Sequence, residues 1–195
     1  MAETRLLRLG EGGRTFAARR FDRDGTARRL YASAMTLTQR SDGEDASYPD
    51  IAQAIRRFGA AATVREDLEH LFRRLAFNVL AGNRDDHLRN HGFLRTAAGW
   101  RLAPAFDMNP GPPDRPHSTS IDGATLEPNI GAALVTHQVY GLSEPRARAV
   151  IVEVARAVRE WQRVATRHGI TEAEQRVIAG ALSALPNGLA LAGDE

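Results

Sequence analysis

Between Arg65 and Ala81 the apolar residues Leu68, Leu71, Phe72, Leu75, Ala76 and Val79 recur at steps of three and four. That period predicts an amphipathic helix aimed at a core, with Gly82 as its C-terminal stop. The pattern upstream is different. Residues 4–9 and 15–21 alternate moderately around Glu11-Gly12-Gly13, so a β-hairpin is expected. Asp22 to Thr26 (DRDGT) is a second turn, and Ala27 to Thr36 reads as a further strand. After the polar loop 41–47, Ser47 predicts an N-cap, with Pro49 in the first turn of a helix that runs to Phe58 and stops at Gly59. Gly92–Arg95 and Trp100–Ala103 form a short hairpin around Ala98-Gly99, closed by Pro104. Residues 109–116, NPGPPDRP, are too rich in proline for helix or central strand. Helices are expected over Asn129–Tyr140, Glu144–His168 and Glu172–Leu185. Ser143 with Pro145 and Thr171 with Glu174 are their start signals, and Gly169 is a stop.

Composition narrows the classes. A chain of 195 residues buries a real core. It has no cysteine, which excludes disulfides and thiolate metal sites and fits a reducing compartment. The N-terminal stretch MAETRLLRLGEGG lacks the apolar segment of a signal peptide. No apolar run approaches the roughly 20 residues that span a bilayer. All 26 basic residues are arginine, and the net charge is only +2, so the pI of about 9.6 reports arginine rather than a strong basic field.

The chemistry-bearing run is Phe77 to Met108. Asp85 precedes Asn90 by five residues, and Asp107 follows beyond the short hairpin. A protein-kinase catalytic loop needs an Asp to accept the substrate hydroxyl's proton and an Asn five residues on to hold a metal. It needs a second Asp, past a short hairpin, to bind Mg²⁺ between the nucleotide phosphates. Spacing selects Asp85 over Asp86, which stands only four before Asn90; Asp86 is expected to stabilise the loop or be solvated. The plain alternative for Asp85 and Asp107 is a turn carboxylate accepting backbone hydrogen bonds. His87 and His91 lie four apart, which on a helix would make a zinc pair, but they stand in a loop with no third-ligand pattern. Trp100 and Trp161 are expected as core or interface aromatics. The arginines at 146, 148, 156, 159, 163 and 167 are expected on a solvated helix face.

GNRDDHLRN, followed by GFL and GWRLAPAFDM, resembles the core of the HipA-like toxin kinase family. ARRFDRDGTARRLYASAMTL is similar to that family's RFDR stretch, and SYPDIAQAIRRF to its next helix; the likeness runs from about Glu3 to about Ala184. The resemblance implies a mainly α fold with a small β part, a protein-kinase-like large lobe preceded by a hinge β-hairpin remnant. Residues 1–40 would be the small-lobe and hinge remnant. Residues 41–195 would be the helical large lobe, with catalytic loop 83–91 and metal motif 105–109. The implied activity is that of a cytoplasmic serine/threonine protein kinase, the toxin of a toxin–antitoxin system, using ATP and Mg²⁺. Asp85 would be the catalytic base, with Asn90 and Asp107 as Mg²⁺ ligands. His87 would line the same loop, touching a nucleotide phosphate or bracing Asp85. Arg19, Phe21 and Asp22 would lie at the nucleotide-binding hinge.

The implied partners are a protein substrate, an antitoxin-like DNA-binding protein and a separately encoded small lobe, with no membrane. The family carries a phosphate-covering loop and a phosphate-binding Lys upstream of the hinge. This chain starts at the hinge hairpin and has no Lys, so a shortened or split kinase, inactive alone, is expected. A non-catalytic module or gene remnant that docks an antitoxin-like partner is the alternative. A metal nuclease using Asp85, Asp86, His87 and His91 is a third reading.

Overall fold

The computed structural model of the chain describes residues 3–9, 13–112 and 114–182. β1 (Thr4–Arg8) and β2 (Arg14–Ala18) pair antiparallel with Leu6 opposite Phe16, the expected hairpin. β3 (Arg23–Asp24) and β4 (Ala27–Arg28) form a second, tight one around the DRDGT turn. The strand expected over Ala27 to Thr36 stops early. β5 covers only Tyr31–Ser33, and α1 (Ala34–Thr38) begins at once. The cause is local: the Ser33 hydroxyl accepts the Thr36 N–H at 3.2 Å, capping a turn that contains the helix formers Ala34, Met35 and Leu37.

α2 (Tyr48–Phe58) starts where its cap predicts. Ser47 Oγ accepts the Asp50 N–H at 3.2 Å, and the Asp50 carboxylate accepts the Ser47 N–H at 3.0 Å, a reciprocal capping box. Ser47→Ala should lower stability by about 1 kcal/mol, read as an earlier denaturant midpoint; an unchanged midpoint would remove this cap from the account. α3 (Val64–Leu80) is the central helix. The six apolar residues predicted from its period are all buried, and Leu71, Phe72, Leu75 and Ala76 are wholly so. It packs against α2 and the helices that follow. The period did not reveal its buried polar residues, Asp67, Arg74 and Asn78.

β6 (Gly92–Thr96) and β7 (Gly99–Leu102) form the expected hairpin. β5 adds to its β6 edge, Ala32 opposite Phe93, giving the sheet order β5-β6-β7. Asp67 ties this sheet to α3, accepting from Arg101 Nε at 3.1 Å and from the Leu102 N–H at 3.2 Å. The helix expected over Asn129–Tyr140 divides into α4 (Ile130–Val135), capped by Asn129, and a 3₁₀ turn at Thr136–Tyr140. The one expected over Glu144–His168 divides at Glu160, whose N–H bonds three residues back to Ala157. The halves are α5 (Glu144–Arg159) and α6 (Trp161–Arg167). α7 is Glu172–Leu182, and the expected continuation to Leu185 lies outside the described residues.

α5 buries Ala147, Val150, Ile151 and Val154 against α3. Arg146 stays partly exposed and also joins Glu69 of α3 at 2.5 Å and Glu153 at 3.0 Å, while Arg73 joins Glu153 at 2.7 Å. The chain is mainly helical with small antiparallel sheets. No helix among the described residues is long and apolar enough to cross a membrane.

Candidate active site

α3 ends at Leu80 with Ala81 as its C-cap, and Gly82 follows with φ +67, so the chain turns sharply into the loop 83–91. Glycine takes this left-handed conformation without steric cost. The loop is irregular except for a 3₁₀ turn at Leu88–Asn90. It leaves into β6 at Gly92, where an added Cβ would stand 2.4 Å from the Tyr31 ring. Both ends of the loop are thus held by the fold, one by the buried helix and one by the sheet.

Asp85 is exposed, and its carboxylate takes no hydrogen bond or ion pair among the described residues. Its backbone carbonyl does: it accepts from the Asn90 side-chain amide at 3.1 Å and from the His87 N–H at 3.1 Å. The five-residue spacing closes a small ring that places Asn90 beside Asp85. Asn90 uses Nδ2 in this bond, which leaves its Oδ1 available as an oxygen donor.

Asp107 is brought to the same loop by the backbone. Ala103 N–H donates to the Gly92 carbonyl at 2.8 Å, and Gly111 N–H donates to the Gly82 carbonyl at 2.8 Å. Gly82 and Gly92 bracket the loop, and Asp107 lies midway between Ala103 and Gly111, four residues from each. The arc that carries Asp107 is therefore tied at both ends to the ends of the loop that carries Asp85 and Asn90. Asp107 is exposed and adopts φ +54, one of two non-glycine residues with positive φ among the described residues. Asp tolerates that conformation better than most residues, and Asn109 Nδ2 donates to its Oδ1 at 2.8 Å.

Asp86, adjacent to Asp85, points the other way. It is 3 % exposed, accepts the Tyr48 hydroxyl in a short hydrogen bond, and meets His91 Nε2 at 3.1 Å. Asn78 Nδ2 donates to the Tyr48 oxygen at 2.8 Å, and Asn83 Nδ2 donates to Asn78 Oδ1 at 3.2 Å. The expectation that Asp86 stabilises the loop holds, and solvation does not. Burial opposes its charge, but the charge of His91 and hydrogen bonds from His91, Tyr48 and Asn78 hold the carboxyl below its ordinary range. The Thr119 hydroxyl donates to the Asp86 carbonyl at 2.6 Å. Arg74, buried in α3, donates to the Ala103 carbonyl at the start of the Asp107 arc. Burial lowers its guanidinium to about 10, still charged at neutral pH.

Sequence reading missed Tyr48, Asn78 and Arg74 as supports of the loop. Two signals were available: polar residues on the apolar face of α3, and a tyrosine at the first position of α2. Of the hinge residues, Phe21 meets Phe106 at 5.7 Å and Tyr31 at 6.3 Å, centroid to centroid, next to Asp107. Asp22 is paired with Arg20 at 2.5 Å, and the hydrogen bond from that guanidinium holds its carboxyl below the ordinary range. Arg19 is drawn away to Glu3 at 3.3 Å. His87 is half-buried at the start of the 3₁₀ turn, its Nδ1 buried without a hydrogen-bond partner. His91 is committed to Asp86, so the four-residue nuclease set is not gathered at one point. Among the described residues no group of three His, Asp or Glu side chains is placed to hold a metal. Asn90 and Asp107 offer one amide and one carboxylate oxygen, a donor set that suits a hard cation whose remaining ligands are phosphates and water.

The family model of the HipA-like C-terminal domain matches residues 1–162. The fold is similar to that of HipA from Shewanella oneidensis MR-1, solved in a toxin–antitoxin complex with HipB and its operator DNA. The TM-score is 0.70 at 18 % identity, with 94 % of this chain and 50 % of that chain covered. The chain thus spans half the length of that protein. No curated protein sequence matches.

Proposed function

This chain belongs to the HipA-like C-terminal domain family, and from that premise we propose that it supplies the catalytic floor of a protein serine/threonine kinase. Residues 1–40 carry the hinge and 41–195 the large lobe. The observation that carries the reading is the stitched loop pair. Asn90 is bonded to Asp85, and the Asp107 arc is pinned at Gly82 and Gly92, the two ends of the same loop.

Asp85 has an open carboxylate in position to orient a Ser or Thr hydroxyl and take its proton as the γ-phosphoryl group arrives. Asn90 Oδ1 and the Asp107 carboxylate would hold Mg²⁺. The ion neutralises charge between the nucleotide phosphates and supplies part of the transition-state stabilisation. Phe106 and Phe21 offer an aromatic surface beside Asp107 for the nucleotide. These 195 residues contain no Lys, so within them only an Arg could supply the phosphate-pairing charge that kinases take from a Lys. By its likeness to a HipA solved with HipB and operator DNA, the proposed setting is a cytoplasmic toxin–antitoxin pair with an antitoxin-like DNA-binding partner.

Mg·ATP should raise the melting temperature of the wild-type chain, since a ligand present at 100 times its Kd stabilises the folded state by about 2.7 kcal/mol. The shift should need Mg²⁺ and should be lost in Asp107→Asn, which keeps size and removes the charge. Equal shifts in the two proteins would take Asp107 out of the site.

A further inference from the structure

Beside the catalytic loop, with none of Asp85, Asn90 and Asp107 in its lining, lies a cleft of about 690 Å³, a volume in the range of ligand sites. One wall is the loop itself, His87 to Arg89, which begins two residues after Asp85. The facing wall, residues 117–120, is fastened to that loop. Ser118 donates its N–H and its hydroxyl to the Arg84 carbonyl at 2.9 and 3.1 Å, and Thr119 holds the Asp86 carbonyl. A displacement in either wall would therefore be felt at Asp85.

The rim is the polar loop that precedes α2. It brings Asp42, Glu44 and Asp45 to the cleft, and the first turn of α2 adds Asp50, against Arg40 and Arg89. Arg89 pairs with Asp42, and Arg40 with Asp50 at 3.4 Å. Glu44 and Asp45 are exposed and have no cationic partner among the described residues. The cleft thus keeps two carboxylates in excess. Deeper in, His117 is 4 % exposed, and its Nε2 has no hydrogen-bond partner. Burial, aided by the charge of Arg84, pushes His117 below its ordinary value, so the ring is neutral and does not cancel the rim.

We propose that this cleft seats the acceptor polypeptide next to its Ser or Thr and selects a segment bearing Arg or Lys through Glu44 and Asp45. The inference rests on the phosphoryl-transfer reading and adds its substrate class. The cleft's wall begins at His87, two residues from the Asp85 proposed to receive the hydroxyl, so a chain that runs from that hydroxyl past His87 would enter it. Unpaired carboxylates favour a cationic chain and repel a nucleic-acid strand, whose phosphates need Lys or Arg.

The test is fluorescence anisotropy of the whole chain with a labelled peptide carrying one Ser flanked by Arg, and with its Glu-flanked counterpart. The Arg peptide should bind and the Glu peptide should not. Glu44→Gln/Asp45→Asn should weaken the Arg peptide by about tenfold at low salt, and added salt should shrink that difference. Both positions are exposed, and Glu44→Gln keeps an acceptor for the Ser41 N–H, which Glu44 now binds at 2.5 Å. Equal binding of the two peptides, an unchanged affinity in the double variant, or no peptide binding at all would overturn the proposal. Mg·ATP stabilisation, measured on the same two proteins, reads the other claim. If it is retained while peptide discrimination is absent, only the cleft assignment fails. If discrimination is intact without any Mg·ATP stabilisation, the cleft's selectivity stands and the phosphoryl-transfer reading fails.

Discussion

Asp85→Asn is expected to reduce phosphoryl transfer to a Ser or Thr hydroxyl by about 10²–10⁴-fold, the usual contribution of a positioned general base, with the melting temperature nearly unchanged. The two effects separate because of how the residue is built in. Its backbone carbonyl carries the structural work, accepting from Asn90 and His87. Its carboxylate is exposed and makes no bond among the described residues. The substitution keeps the shape of the loop and removes only the proton acceptor. Transfer of labelled γ-phosphoryl from ATP should be compared for wild type and variant. Each is combined with the polypeptide that corresponds to the half of the Shewanella HipA that this chain does not cover. A variant as active as wild type would remove Asp85 from the chemistry.

Asp86→Ala should act on the fold. Removing one partner of a buried pair leaves the other uncompensated and costs about 3–5 kcal/mol; here it would strand His91 and the Tyr48 hydroxyl in the interior. Chemical denaturation should show a large loss of stability, with activity lost alongside it. The pH dependence follows from the sign of the shift. The folded-state value of Asp86 is held below the ordinary one. Its stabilisation is therefore complete above the unfolded value of about 3.9 and is lost as pH falls through the folded value. The Asp86 contribution to the stability gap between wild type and Asp86→Ala should be fully present above about pH 4 and narrow in stronger acid. A gap that is small, or independent of pH down to about 2, would contradict the assignment.

Spacing alone made Asp86 the lesser of two adjacent carboxylates, and for chemistry that reading stands as proposed. Its structural weight was not legible, because its partner Tyr48 is 38 residues away and nothing local announces their meeting. The same limit hid the addition of β5 to β6 and the hold of Arg74 on Ala103. Elements that follow local rules were legible. The apolar period of α3 is enforced by burial at every predicted position, the Ser47–Asp50 box is contained in four residues, and the β6–β7 hairpin turns at Ala97-Ala98, one residue before the expected Ala98-Gly99. α1 was misread as strand because five residues are too few to show a helical period and its cap, Ser33, follows directly on a true strand. The breaks at Thr136 and Glu160 carry no glycine or proline to mark them. The proposed trio Asp85, Asn90 and Asp107 was picked out by spacing and a hairpin, which are themselves local; the two backbone bonds that close the Asp107 arc were not legible.

The central claim is that Asn90 and Asp107 hold one divalent cation together with a nucleotide. Mn²⁺ substituted for Mg²⁺ is paramagnetic and broadens the NMR signals of nuclei near it. With Mn·ATP bound, the account predicts broadening of the Asn90 side-chain amide and of backbone amides around Asp85 and Asp107, with the effect lost in Asp107→Asn. Broadening confined to the acidic loop at Asp42–Asp45, or unchanged by Asp107→Asn, would contradict it.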